Sequence, residues 1–294
     1  MEFKDLEIFQ MVAKKGTITD AAKALNYVQS NVTSRIQKLE MELHTPLFNR
    51  HNRGMKLTPE GKKLIVYAEK ILSLTNEMKK VIQSSDEPSG KLEIGSVETV
   101  LKLPHILSAY NKKYDNVELS LYTGVTDKLK EEVLNHHLDG AFVTDTGEHL
   151  DLVSQDVFQE ELVLISDPKT SSLAELKEKP FLCFSKGCGY RARLESWYRD
   201  QNITPKKIME FGTLETILSS VAVGLGITFV PKSAVSHLEK KGYILCHSLP
   251  EKYSKINTIF IRRSDASITP TIKKFIETIE LCKDQTVKPL PYLN

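Results

Sequence analysis

The chain has 294 residues, 40% of them hydrophobic and 27% charged, with a net charge of +2. That length allows two or three compact units, and the composition excludes disorder on a large scale. No run of about 18 apolar residues occurs, and MEFKDLEIFQ is acidic where a secretory signal would be basic and then apolar, so a cytoplasmic protein with no membrane contact is expected.

The positive charge is concentrated at one end. Residues 1–63 hold 11 Lys and Arg against 7 Asp and Glu, a balance of +4 that leaves −2 for the rest. Such a gradient suits an N-terminal unit that meets nucleic acid. Leu6, Phe9 and Val12 or Ala13 recur at helical spacing, and Gly16 stops that helix. A second helix is expected over Asp20–Leu25, capped by Thr19, with Ala21 and Ala22 small enough for close packing. Asn26 and Tyr27 make the turn.

In the third segment Val32, Ile36, Leu39 and Leu43 form one apolar stripe. At about 100° per residue, Ser30, Ser34, Gln37 and Lys38 take the opposite side, flanked by Asn31 and Thr33, with Gln29 at the helix start. Amide and hydroxyl side chains of this kind can read base edges from the major groove, although an exposed helix face is polar in any case. Phe48 to Leu57 follows with Arg50, Asn52, Arg53 and Gly54 between apolar ends. It reads as a two-stranded wing whose arginines reach phosphate or the minor groove. Gln29, Ser30, Asn31, Thr33, Ser34, Arg35, Arg50 and Arg53 are the candidate DNA-binding residues.

Leu6, Phe9, Gly16, Ala21-Ala22, Leu25, Gln29, Val32, Ile36, Leu39-Glu40, Leu43, Pro46-Leu47-Phe48, Arg50, Leu57-Thr58 and Gly61 resemble, in order and spacing, the N-terminal signature of LysR-type transcriptional regulators. Two positions depart from it. Val28 stands where a capping serine is usual, and His44 replaces a common glycine after the helix.

Thr58 and Pro59 then open a long helix whose stripe runs through Leu64, Ala68, Ile71, Leu74 or Thr75, Met78 and Val81 or Ile82 until QSSDEPSGK breaks it. One apolar stripe of that length needs a partner: either the chain's own body or an antiparallel second copy. The resemblance implies the copy, hence a homodimer on an inverted-repeat site in double-stranded DNA, and a homotetramer beyond it. This gives a winged helix-turn-helix domain over 1–58 and a linker helix with hinge over 59–87.

From Lys91 strand-like and helical segments alternate, as in βαβ units. The strands are expected at KLEIGSV, VELSLY, GAFV, ELVLIS, PFLCFS, IMEF, GITFVP and NTIFIRR. Helices are expected over Leu101–Tyr114, Asp127–His137, after Pro168, Tyr190–Gln201, Leu214–Val223 and Ile272–Cys282. LDGAFV and VAVGLGITFVP extend the LysR resemblance. It implies a two-lobed α/β effector domain over 88–294, like a periplasmic binding protein, with lobe I at about 91–162 and 267–294 and lobe II at about 163–266. The chain would cross between lobes near 162–166 and return near 262–267.

Effectors bind such sheets beyond the strands' carboxyl ends, at helix openings. By resemblance the turn at Ser96 and Thr99 contacts the effector, and Thr126, Thr144, Ser185, Gly187 and Cys188 occupy comparable turns. The set favours a small anion such as a carboxylate, while each hydroxyl alone reads equally as a helix cap. Glu98 would repel an anion or hold a cation. No other cofactor and no metal is implied: the four cysteines lack paired zinc spacing and make no disulfide framework, and His136-His137 is adjacent rather than spaced for ligation. Cys183 reads as core. Cys188, near Arg191 and Arg193, allows an alternative of thiol-based redox sensing. Tyr190, Arg191 and Trp197 read as packing residues. No GxSxG, Walker, HExxH or post-strand GxGxxG pattern occurs, so no enzyme is expected. The remaining alternative is a ligand receptor or enzyme whose N-terminal unit mediates protein contacts.

Overall fold

The computed structural model describes residues 1–51, 54–82, 86–145, 147–170, 172–202 and 204–283. They divide into two compact units, 1–83 and 84–294.

In the first unit, α1 (Phe3–Lys15) ends at Gly16, whose left-handed φ of 74° glycine adopts without steric cost. Helix α2 (Ile18–Leu25) is capped by Thr17 and not by Thr19. The Thr17 hydroxyl accepts the Asp20 N–H at 3.0 Å and donates to the Asp20 carboxylate at 2.7 Å. The cap lies three residues before the acid because its side chain must reach the third N–H of the helix. Helix α3 (Gln29–Glu42) starts at Val28 with no side-chain cap. After it, His44 takes a left-handed φ of 51° where the related signature has glycine. Val32, Ile36 and Leu39 are buried, but Leu43 lies beyond the last helical residue and is exposed, so the expected stripe is one residue too long.

Strands β1 (Phe48–His51) and β2 (Gly54–Leu57) pair antiparallel and form the expected wing. The wing is fixed from two sides. Glu40 accepts the Leu47 and Phe48 N–H groups at 2.8 and 3.3 Å, and the Met55 N–H donates to the Gly16 carbonyl at 2.7 Å. Gly54 is required there: its φ is 126°, and a Cβ would stand 2.5 Å from the Gly16 carbonyl oxygen. Thr58 caps α4 (Pro59–Ile82) by accepting the Gly61 N–H at 2.9 Å. The core joins Leu6, Phe9 and Val12 of α1 to Ala21, Ala22, Val32, Ile36 and Leu39, with Ala68 of α4 beneath.

The second unit begins β3 (Gly90–Ser96), α5 (Leu103–Lys113), β4 (Val117–Thr123), α6 (Thr126–Leu134), β5 (Gly140–Thr144) and β6 (Leu152–Ser166). It continues α7 (Leu173–Glu178), β7 (Phe181–Cys183), α8 (Gly189–Asp200), β8 (Ile208–Glu210), α9 (Leu214–Ala222) and β9 (Thr228–Pro231). Last come α10 (Lys232–Lys240), β10 (Leu245–Ser248), α11 (Glu251–Ser254), β11 (Lys255–Arg263) and α12 (Pro270–Lys283). Strand β3 runs parallel to β4 and β5, as the βαβ reading requires.

The two lobes share one strand. Residues 152–161 of β6 pair with β11, and from Leu162 onward the same strand pairs with β9 and β10. The crossing therefore falls at Glu161 and Leu162, at the edge of the expected window. The return comes earlier than expected: Lys255 already pairs with Glu161, and β11 continues against β5 in lobe I. Residues 255–266 thus belong to lobe I, not lobe II. Strand β6 also starts nine residues before the expected ELVLIS, because its first half carries exposed polar side chains and lacks an apolar run. Helix α10, strand β10 and helix α11 were not among the predicted elements.

Candidate nucleic-acid interface and effector cleft

Helix α3 presents Gln29, Ser30, Asn31 and Ser34 to solvent, joined by Gln37 and Lys38. These side chains share a face because the opposite one is held by Val32, Ile36 and Leu39 in the core. Thr33 is half-buried, and its hydroxyl donates to the Gln29 carbonyl at 2.9 Å. Arg35 is turned elsewhere: its guanidinium lies 2.8 Å from Asp5 and 2.9 Å from Glu2. That reassigns it from an open DNA contact to a bridge between α3 and the start of α1. Lys38 reaches the same Glu2 at 3.1 Å. The Arg35 and Lys38 bonds hold the Glu2 carboxyl down to about 2. Arg50 is exposed on β1 opposite Met55, and Arg53 falls outside the described residues.

In the second unit the predicted effector residues separate into two groups. Thr99, Thr126 and Thr144 are buried near the carboxyl ends of lobe I strands, and the first residues of α8 of lobe II, Gly189 and Tyr190, lie against Thr144 and Thr99. The Thr99 hydroxyl donates to the Tyr190 hydroxyl at 2.7 Å. The Thr144 N–H donates to the Thr126 hydroxyl at 3.3 Å. The Asp127 N–H, in the first turn of α6, donates to the Gly187 carbonyl at 3.1 Å. Cys188 and Tyr190 pack on Leu162 and Ile256, where β6 and β11 cross between lobes. Two candidates do not join this network. Ser96 is buried with its hydroxyl on the Val97 carbonyl at 2.9 Å, and Ser185 is exposed.

Tyr190 and Glu160, which the sequence did not single out as cleft contacts, and Glu98, which it did, complete the boundary. Tyr190, read as a packing residue, is the polar link between lobes. Glu98 accepts the Leu214 N–H at 2.7 Å, so its carboxylate occupies the start of α9 across the cleft. Glu160, on β6 one residue before the crossing strand changes partners, accepts the Ser233 hydroxyl at 2.6 Å, and burial pushes its carboxyl up despite nearby Lys102. The available signal was a carboxylate inside a strand, which is uncommon unless something uses it.

Burial shields the thiols and holds them protonated. Cys188 is buried, and that burial raises its pKa although the Tyr190 and Arg191 N–H groups lie against it. The cation expected to activate it is engaged: Arg191 bonds Glu195 at 2.7 Å and Glu210 at 2.8 Å. Burial pushes Cys183 to about 11 and Cys246 to about 12. A thiol so protonated is a poor nucleophile near neutral pH. Among the described residues no group of His, Cys, Asp and Glu could hold a metal ion, and no helix is long and apolar enough to cross a membrane.

Known proteins carry the same arrangement. The bacterial regulatory helix-turn-helix protein, lysR family, model matches residues 3–62, and the LysR substrate binding domain model matches residues 85–282. The HTH-type transcriptional regulator SoxR of Arthrobacter sp. (strain TE1826) is 57% identical over 95% of this chain and 97% of its own. The HTH-type transcriptional regulator CzcR of Bacillus anthracis is 54% identical over the same shares. Full-length CbnR, solved in complex with its target DNA, is 22% identical and superposes with a TM-score of 0.69 over 96% of this chain and 100% of that one, a likeness of fold. With its wing, its polar third helix and its two-lobed second unit, the chain belongs to the LysR family of DNA-binding transcriptional regulators.

Proposed function

We propose that this regulator reads an inverted-repeat site as a dimer joined through α4, assembles further to a tetramer, and works in the cytoplasm without a catalytic step. A small anion such as a carboxylate acts as its effector. The observation that carries the effector reading is the convergence of Thr99, Thr126 and Thr144 on the start of α8. The Thr99 hydroxyl is paired with Tyr190, and the Thr126 hydroxyl accepts the Thr144 N–H. An effector oxygen entering there exchanges the Thr99–Tyr190 bond for its own, changes how the lobes meet, and so biases a two-state assembly on DNA.

Glu98 and Glu160 favour a second reading, an effector with an ammonium group, because one carboxylate sits at the start of α9 and the other is buried beside Ser233, with Lys102 near it. Thermal unfolding of the full chain with short mono- and dicarboxylates, and separately with short amines, decides between the two. A ligand at 100 times its dissociation constant stabilises the folded form by about 2.7 kcal/mol. Carboxylates are expected to raise the transition, and Thr99→Ala to remove that rise. A rise with amines alone selects the second reading, and a rise that survives Thr99→Ala places the ligand elsewhere.

A further inference from the structure

Helix α3 contains only two cations, Arg35 and Lys38. Neither is free. Arg35 holds Glu2 and Asp5, and Lys38 holds Glu2. At about 100° per residue Lys38 lies 40° from Ser34 and Arg35 100° from it, so the two side chains edge the polar face on the side toward α1. Asp5 is fully buried, and it also accepts the Glu2 N–H at 2.8 Å, which makes it a structural part of the α1 start. Glu2 differs: its side chain is 57% exposed, and solvent reaches both of its ion pairs.

We propose that Glu2 is a specificity-determining residue, an internal substitute for a DNA phosphate that occupies the cations of the recognition helix and withholds them from the backbone of non-target DNA. A phosphate and a carboxylate seek the same N–H donors of guanidinium and ammonium groups. A cation already neutralised within the protein releases no counterions from DNA, so it adds little to sequence-independent affinity. The face left to the groove is then uncharged amide and hydroxyl, which discriminates between bases while holding any duplex weakly. Specificity is the ratio of the two affinities, and Glu2 raises it by lowering the non-specific one.

The test is the salt dependence of binding by the full chain to a fluorescent random-sequence duplex and to the inverted repeat that the protein selects from a random pool. Glu2→Gln is expected to tighten random-duplex binding about three- to tenfold at about 50 mM salt. It should steepen the slope of log K against log salt by about 0.9, the share of Lys38, because Arg35 keeps its pair with buried Asp5. Target binding should gain less, so the ratio of target to random affinity falls. The double variant Glu2→Gln/Lys38→Gln is expected to give back about 0.9 of the slope. Glu7→Gln removes the same charge from α1 but frees only Lys4, its 2.6 Å partner, and is the control. The proposal is overturned if Glu2→Gln leaves the slope unchanged or weakens binding to both duplexes. It is equally overturned if Glu7→Gln has the same effect, since diffuse charge would then explain the result.

Discussion

At the scale of single residues, the contact between lobes depends on what is missing at position 189. Gly189 opens α8, where alanine would ordinarily gain roughly 0.5–1 kcal/mol in a helix. Here an added Cβ would stand 2.5 Å from Thr144 Cγ2 and 2.6 Å from Thr144 Cβ, and a Cβ cannot swing aside as the end of a long side chain can. Overpacking of this kind costs about 1–3 kcal/mol, so the clash outweighs the helical gain. Gly189→Ala is therefore expected to lower the urea midpoint of the second unit, read from the fluorescence of Trp197, the only tryptophan in the chain. A higher midpoint would show that lobe II can draw back without loss. Thr126 and Thr144 were legible in the sequence because one opens a helix and the other ends a strand, and Thr99 through the family resemblance of its turn. The link of Tyr190 to Thr99 and of Glu98 to Leu214 was not, since these partners lie 91 and 116 residues apart and no local pattern encodes such a distance.

Among the elements, α4 shows how far a sequence pattern reaches. The Thr58-Pro59 start was readable because capping is a local matter, and the apolar stripe was readable because its period is the helix's own. What covers the stripe was not. Leu64, Ile65, Ala68, Ile71 and Leu72 lie on the core of the first unit. Leu74, Met78 and Ile82, spaced by four, are 54%, 56% and 79% exposed. Burying one such side chain is worth about 1.5–3 kcal/mol, and an antiparallel pair of helices would bury a set from each copy. Met78→Glu places a charge in the middle of that stripe. Sedimentation of the full chain is expected to show dimer association weakened by at least tenfold, with the thermal stability of the helix-turn-helix core retained. An unchanged dissociation constant would move the dimer contact off this half of α4. Strand β6 is the contrary case. Its first ten residues alternate too weakly to read as a strand, and only pairing with β11, about a hundred residues on, makes them one.

Across the second unit, β6 and β11 are the two strands by which the lobes are joined, and a titrating group sits beside their crossing. Glu160 pairs with Ile256 in that register. It faces Ser233 from α10, Lys102 from the turn before α5 and the Tyr190 hydroxyl from α8. Burial outweighs the help from Ser233 and Lys102 and lifts the carboxyl above its ordinary value of 4.5. A carboxyl raised in the folded state costs nothing below its unfolded pKa, where both states are protonated. The cost appears as pH rises from the unfolded toward the folded pKa and is complete above the latter. Wild type therefore loses stability over that window relative to Glu160→Gln, which keeps a neutral acceptor for Ser233. Urea unfolding followed by Trp197 fluorescence at pH 4 to 8 is expected to give midpoints that nearly coincide at the acid end and separate toward neutrality, the variant being the more stable. Other groups titrate alike in both proteins and cancel in the difference. A constant separation would mean that the carboxylate is solvated as the lobes meet, and that the cleft at the crossing strands is open to water.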